Sequence, residues 1–291
     1  MKSQPTHVMV QTPLGAKRLD ALVANDHVYG EDGKIYSVVS NTPLGIKPVY
    51  KIFFNDDSSM ECNEDTDLSC YVSNKLTYIP TSTITKEFKS MKSLKFGLTK
   101  PVERMAKNLL IPTDIMGILL HENSKMVYTD NEVILVVTTK QLERITSYFE
   151  DSSCGYFGGH AKHTTINSPT LIQYLKQYNT IKSPEYRAIP DMYLRGSVEQ
   201  RVELLNSLMK FSTINCSYQP MLSSLRELVE GLGYSSNTKH VMGEYRGYWL
   251  LNVTTTPRSI VKTYYMYNAY SSELTTTNPT GLYLTNNHII I

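Results

Sequence analysis

Ala188-Ile-Pro-Asp-Met-Tyr-Leu-Arg-Gly-Ser-Val-Glu-Gln-Arg-Val-Glu-Leu-Leu-Asn-Ser-Leu-Met209 places apolar side chains at helical spacing over 198–209. Leu204, Leu205 and Leu208 fall on the face that belongs in a core. The run continues as Met209-Lys210-Phe211-Ser212-Thr213, so no acid stands where this helix ends. Four further segments share the spacing, at 107–120, 139–148, 168–178 and 220–232. In the first of them Ile115, Met116 and Leu119 are core candidates. The last stops at Gly231-Leu-Gly233, a helix C-cap pattern.

Outward from these helices the chain turns to strands. The first 80 residues read as short strands at 8–10, 27–29, 35–39, 48–54 and 59–62. Turns at Thr12-Pro-Leu-Gly15 and Glu31-Asp-Gly33 separate them, with a single helical turn at 17–22. Strand-like runs at 133–137, 248–253 and 259–261 lie among the helices, and β character returns at 281–285 and 288–291. The simplest organisation is an all-β domain built from both chain ends, split by an α+β insertion. Its expected parts are 1–85 with 264–291, a basic linker at 86–106, and an inserted domain at 107–263.

Composition bounds the possibilities. A chain of 291 residues with 41% apolar and 19% charged residues has room for two domains with real cores. No run of about 18 apolar residues occurs, so no membrane span is expected. The first ten residues lack the apolar core of a signal peptide. Four widely spaced cysteines, with no C-x-x-C pair, argue against a disulfide framework and fit a reducing cytoplasm. A net charge of +2 says little, because binding depends on where charges sit. Lys86, Lys89, Lys92, Lys95, Lys100, Arg104 and Lys107 form a basic stretch that can follow a phosphate backbone. A solvated linker kept soluble by lysine has the same composition. The 21 tyrosines suit both β-strands and nucleic-acid contacts.

The order of these segments resembles an intein, in which a Hedgehog/intein (Hint) β domain is interrupted by a LAGLIDADG homing endonuclease. The resemblance is carried by Thr6 to Leu22, Asp26-His-Val-Tyr-Gly30, Val49 to Cys62, Pro112 to Ser124, the quoted 188–209 run, Ser223 to Gly233 and Gly281 to Ile291. It implies a two-domain fold. The all-β Hint-like domain is formed by both chain ends, and the insertion is an α+β LAGLIDADG domain centred on two packed helices.

The same resemblance makes the departures legible. Protein splicing needs a Cys or Ser as first residue; with the family's spacing to Thr6 that place is Met1. The histidine expected in the second splicing block corresponds to Thr66, and the terminal His-Asn pair is absent at Ile291. Splicing is therefore expected to be lost. In the endonuclease part, each LAGLIDADG helix ends in an acid that helps hold a catalytic metal. On the nine-residue motifs, Gly117 and Ser207 take the packing positions, while Glu122 and Ser212 take the acid positions. Serine is a poor Mg²⁺ ligand and Lys210 is none.

The function implied is binding to double-stranded DNA by a monomer, with cleavage weakened or lost. If cleavage persists, Glu122 is the expected metal ligand for Mg²⁺, with Lys262 assisting. Lys92, Lys95, Lys162, His163 and Arg246 are the candidate DNA contacts. Bland readings stand beside each: Glu122 as a solvated or capping carboxylate, Lys262 as a surface lysine, and Asp114 as a residue opening its helix. His160-Ala-Lys-His163 lacks a third metal ligand nearby. The alternative class is a non-enzymatic binding or assembly protein on the same scaffold, with a phage or host protein as partner. The bacterial cytoplasm is then the expected compartment, and a virion under the alternative.

Overall fold

The computed structural model describes residues 3–72, 75–87, 94–121, 126–157, 163–178, 186–209, 213–242, 247–285 and 288–291, without the side chains of Tyr156, Phe157 and His163. In chain order the strands and helices begin with β1 (Ser3–Pro5), β2 (Met9–Thr12), β3 (Gly15–Arg18), β4 (His27–Tyr29), β5 (Ile35–Phe54), β6 (Ser59–Asn63), β7 (Asp67–Val72), β8 (Lys75–Pro80) and α1 (Thr81–Lys86). The middle holds α2 (Thr113–Leu120), β9 (Val127–Tyr128), β10 (Val133–Val136), α3 (Thr139–Tyr148), β11 (Ser153–Phe157), β12 (His163–Asn167), α4 (Pro169–Gln177), α5 (Asp191–Leu194) and α6 (Val198–Leu208). Then come β13 (Thr213–Cys216), α7 (Gln219–Gly231), β14 (Ser235–Met242), β15 (Gly247–Thr254) and β16 (Ile260–Thr276). Two compact units result. The first comprises Met1–Glu103, Val229–Asn237 and Val253–Ile291; the second comprises Arg104–Leu228 and Thr238–Asn252.

The first unit is mostly β. Its main sheet runs β1-β16-β5-β4, with β6 also paired to β5. The two segments expected at 35–39 and 48–54 are one strand of 20 residues. Thr42-Pro-Leu-Gly45 reads as a turn, yet the chain passes through it with a bulge. Gly45 faces Ser271, Pro43 faces Ser272, and Leu44 is left between them. Gly45 takes φ +81°, a conformation that its missing Cβ allows. The run expected at 259–261 is also longer, because β16 pairs antiparallel with β5 from Ile260↔Phe54 to Thr276↔Val38. Ile260–Thr263 therefore belong to this sheet. Alternation explains the core: Ile52, Phe54, Met60 and Cys62 are buried, while Lys51, Phe53 and Glu61 between them are not. Each such apolar side chain removed from water stabilises the fold by about 1.5–3 kcal/mol.

Helical spacing places 17–22 in a helical turn; the structure ends β3 at Arg18 and forms a 3-10 turn over Leu19–Ala21. The tail expected as strands makes isolated bridges instead, Val10↔Thr285 and Leu284↔Ile290. The described part of the basic stretch is tied down. Leu94, Phe96 and Val102 are buried; Phe96 and Arg258 exchange backbone hydrogen bonds of 2.8 and 3.1 Å.

The second unit alternates helices with strands, and its helix starts are written locally. Thr138 and Gln141 form a capping box at α3, and Ser197 and Gln200 form one at α6. Ser168 caps α4 ahead of Pro169. The helix expected over 107–120 starts only at Thr113, because Pro112 is extended (ψ 148°) and disfavours helical geometry at Ile111. Two sheets, β11-β12-β10-β9 and β13-β15-β14, accompany the helices. Among the described residues no helix is long and apolar enough to cross a membrane.

Candidate functional site

The centre of the second unit is the pair α2 and α6. Ile115, Met116, Leu119, Leu204, Leu205 and Leu208 are each at most 3% exposed, as their helical spacing predicts. The backbones approach at Gly117. A Cβ there would collide with the Cβ of Ser207 and lie 3.3 Å from its Oγ. Ser207 turns its hydroxyl back onto its own helix, donating to the Glu203 carbonyl at 3.0 Å. Small side chains at both positions are thus a steric requirement of this packing.

The carboxylates near the pair are already engaged. Thr113 Oγ1 donates to the Glu203 side chain. Asp114 stands in the first turn of α2, as expected of a residue that opens the helix, and receives Arg144 Nε at 2.6 Å and Nη2 at 3.1 Å, a two-pronged ion pair with α3. The hydrogen bond from Arg144 to Asp114 raises the guanidinium pKa further. Among the described residues no cluster of His, Cys, Asp and Glu can hold a metal ion.

α2 ends at Leu120 and α6 at Leu208, and the residues expected at the acid positions, Glu122 on one side and Lys210 and Ser212 on the other, lie outside the described residues. So do Lys92, Lys162, Arg246, His160 and Met1. His163 pairs through its backbone with Val136 and Phe157. Lys95 exchanges backbone hydrogen bonds with Tyr71 in the first unit. Lys262 stands on β16, opposite Phe53, with Nζ 5.0 Å above the Tyr264 ring. It belongs to the first unit, whereas α2 and α6 belong to the second.

The strands of the second unit have one buried and one open face. Val133, Leu135, Ile166, Ile214, Cys216 and Leu251 are buried. Register then puts Ser153, Ile134, Val136 and Asn167 on the other face of one sheet, where Thr165 is nevertheless buried, and Thr213, Asn215, Leu250 and Asn252 on that of the other. None of these side chains is charged.

A buried polar cluster in the first unit escaped the sequence reading. Ser3 and Thr66 are both fully buried. Ser3 Oγ donates to Asp65 Oδ1 at 2.5 Å, and Lys47 Nζ stands 2.6 Å from Asp65 Oδ2. Thr66 Oγ1 donates to the Ser3 carbonyl, and Gln4 Nε2 donates to Thr66 Oγ1 at 3.5 Å. Burial pushes the Asp65 carboxyl up, but hydrogen bonds from Lys47 and Ser3 outweigh it and hold the group below its usual range. The residue in the place of the splicing histidine therefore meets the backbone of Ser3. The only local signal was a hydroxyl two residues from the position considered.

No protein-family model and no curated protein matches the sequence. Among solved structures, the MchDnaB-1 intein is similar over 99% of this chain and 96% of its own, at 9% identity and a TM-score of 0.35. The gp41-1 intein is similar over 37% of this chain and 70% of its own, at 20% identity and a TM-score of 0.26. Mesophilic variants of the homing endonuclease I-DmoI are similar over 49% of this chain and 89% of their own, at 10% identity and a TM-score of 0.34. Inteins and a homing endonuclease are thus structural neighbours. With scores this low the likeness is one of outline, and function follows from this chain's own residues.

Proposed function

We propose that this chain is an intein-derived, LAGLIDADG-type protein whose second unit binds double-stranded DNA, with cleavage weakened or lost and splicing absent. The observation that carries the reading is the approach of α2 to α6 at Gly117 and Ser207, with no room for a side chain at Gly117. Those are the two positions that the motif reserves for small residues. The neutral hydroxyl and amide groups on the open strand faces suit base-edge contacts. Phosphate neutralisation is assigned to Lys162 and Arg246, which precede β12 and β15 in the chain. If cleavage persists, Glu122, at the acid position of the first motif, is the acid proposed for a Mg²⁺ ion.

The test is incubation of the purified chain with DNA of its source genome, with and without Mg²⁺ or Mn²⁺, beside a salt titration of duplex binding. Salt-sensitive duplex binding is expected, and replacing Lys162 or Arg246 by Gln should each reduce the salt slope by about one. Weak nicking that Glu122→Ala removes would place the surviving chemistry there. A protein with no duplex affinity that enters a larger assembly would overturn this reading in favour of a structural role.

A second reading is favoured by the Ser3 cluster. The Ser3 hydroxyl oxygen would attack the Lys2 carbonyl carbon. The C–N bond to Ser3 would break and the hydroxyl proton would end on the freed amine, leaving an ester. Thr66 does not assist, since it donates to the carbonyl of Ser3 itself, one peptide further on. Hydroxylamine release of an N-terminal fusion partner, lost in Ser3→Ala, would support this reading; an intact fusion would exclude it.

A further inference from the structure

The β5–β16 ribbon carries an aromatic and basic surface that neither reading above uses. On one face, Phe53 and Tyr264 face each other diagonally, with ring centroids 5.6 Å apart. Lys262 Nζ lies 5.0 Å over the Tyr264 ring and Lys51 Nζ 5.6 Å over the Phe53 ring. The register places Tyr267 on the same face, two paired positions along β5 from Tyr264. The other face shows Tyr50 and Tyr265 edge to face at 5.9 Å, with Tyr270 68% exposed. Tyr264, Tyr265 and Tyr267 are 37–53% exposed. Exposed aromatic rings along one ribbon are costly in water and need a reason.

We propose that the Phe53–Tyr264 face of this ribbon is a stacking platform for single-stranded nucleic acid. Phe53 and Tyr264 form one stacking step across the ribbon, 5.6 Å between centroids, and Tyr267 follows two paired positions, about 7 Å, further along, a spacing at which successive unstacked bases can each meet a ring. Bases stack on aromatic side chains with little regard to sequence, while lysines follow the backbone. Charge selects the occupant. Among the described residues Lys262 pairs with no carboxylate, and Lys51 shares Glu61 at 3.5 Å. Their ammonium groups sit over the rings, held by exposed cation–ring contacts weaker than base stacking. A nucleotide therefore displaces them readily, and each ammonium swings to a phosphate beside its ring. Glu61 spreads its charge over three partners, with Oε2 held by the Tyr267 hydroxyl at 2.7 Å and by His7 at 2.9 Å and Oε1 facing Lys51 at 3.5 Å.

The experiment is fluorescence anisotropy of a labelled oligothymidylate with the full chain, across a salt series. Binding that weakens with salt is expected. Phe53→Ala and Tyr264→Ala should each weaken it about tenfold, since stacking contributes that much per base. Tyr264→Phe should retain it, and Lys262→Gln should lower the salt slope by about one. Lys262→Gln removes an exposed side chain and serves where the ring variants fail to fold. Duplex binding, assigned to the other unit, should be unchanged by the Phe53 and Tyr264 substitutions, so the two proposals fail separately. No affinity for the oligonucleotide, affinity indifferent to Tyr264→Ala and Phe53→Ala, or preference for a proline-rich peptide would overturn the assignment.

Discussion

Replacing Gly117 by Ala tests the helix packing on which the second unit is built. On an open helix face this change stabilises by about 1 kcal/mol, because glycine is the poorer helix former. At Gly117 the new Cβ lands on the Cβ of Ser207 and comes within 3.4 Å of its backbone carbonyl carbon. The helices must then separate, and overpacking of a close-packed site costs about 1–3 kcal/mol. The net expectation is a loss of up to about 2 kcal/mol, and a larger one for Gly117→Val. Ser207→Gly alone should cost about 0.5 kcal/mol through propensity. Combined with Gly117→Ala it removes the colliding atom, so the pair should show a favourable coupling of about 1 kcal/mol or more. Urea unfolding followed by Trp249 fluorescence is the assay. Trp249 is the only tryptophan and sits on β15 in the second unit, so it reports that unit. A stabilised Gly117→Ala protein with no coupling to Ser207→Gly would refute the reasoning.

Three further outcomes follow from the first unit and the thiols. Arg258 and Asp56 form a buried ion pair at 2.5 Å, with side chains 2% and 4% exposed; Arg258→Met alone should cost about 3–5 kcal/mol in chemical denaturation, and Arg258→Met with Asp56→Leu much less. Burial pushes the Asp65 and Glu61 carboxyls up, yet hydrogen bonds from Lys47 and Ser3, and from His7 and Tyr267, hold both below the usual range. Their stabilisation is therefore present above the unfolded values of about 3.9 and 4.3 and disappears as pH falls through the lower folded ones; Asp65→Asn should flatten the acid limb of a stability–pH curve. Of four cysteines only Cys154 is exposed, while burial pushes the Cys62 thiol up to about 12 and Cys70 to about 11. A thiol reagent should accordingly label one cysteine quickly in the native protein and four after unfolding.

How much of this was legible beforehand depends on how far apart the deciding atoms lie in the chain. The helix at 139–148 was read at its observed bounds, and α4, α6 and α7 to within a residue or two, because a 3.6-residue period and a capping residue are local signals. The six core positions of α2 and α6 followed from the same period. Where a proline interrupted that period, at Pro112, the helix proved shorter than its apolar pattern.

Sequence by itself determined the helices α3, α4, α6 and α7, the positions of the small residues Gly117 and Ser207, and the lack of a cysteine framework. Tertiary structure alone decided that 35–39 and 48–54 are one strand, that β16 runs on to Thr276, and that Ser3 meets Thr66. It also placed Lys262 over Tyr264 on a sheet of the first unit. The reason is physical. Periodicity and caps act between neighbours a few residues apart, whereas strand register and backbone approach are settled between segments more than 60 and up to 240 residues distant, as in Ser3–Thr66 and Ser37–Thr277. No local pattern encodes those meetings until the chain has closed on itself.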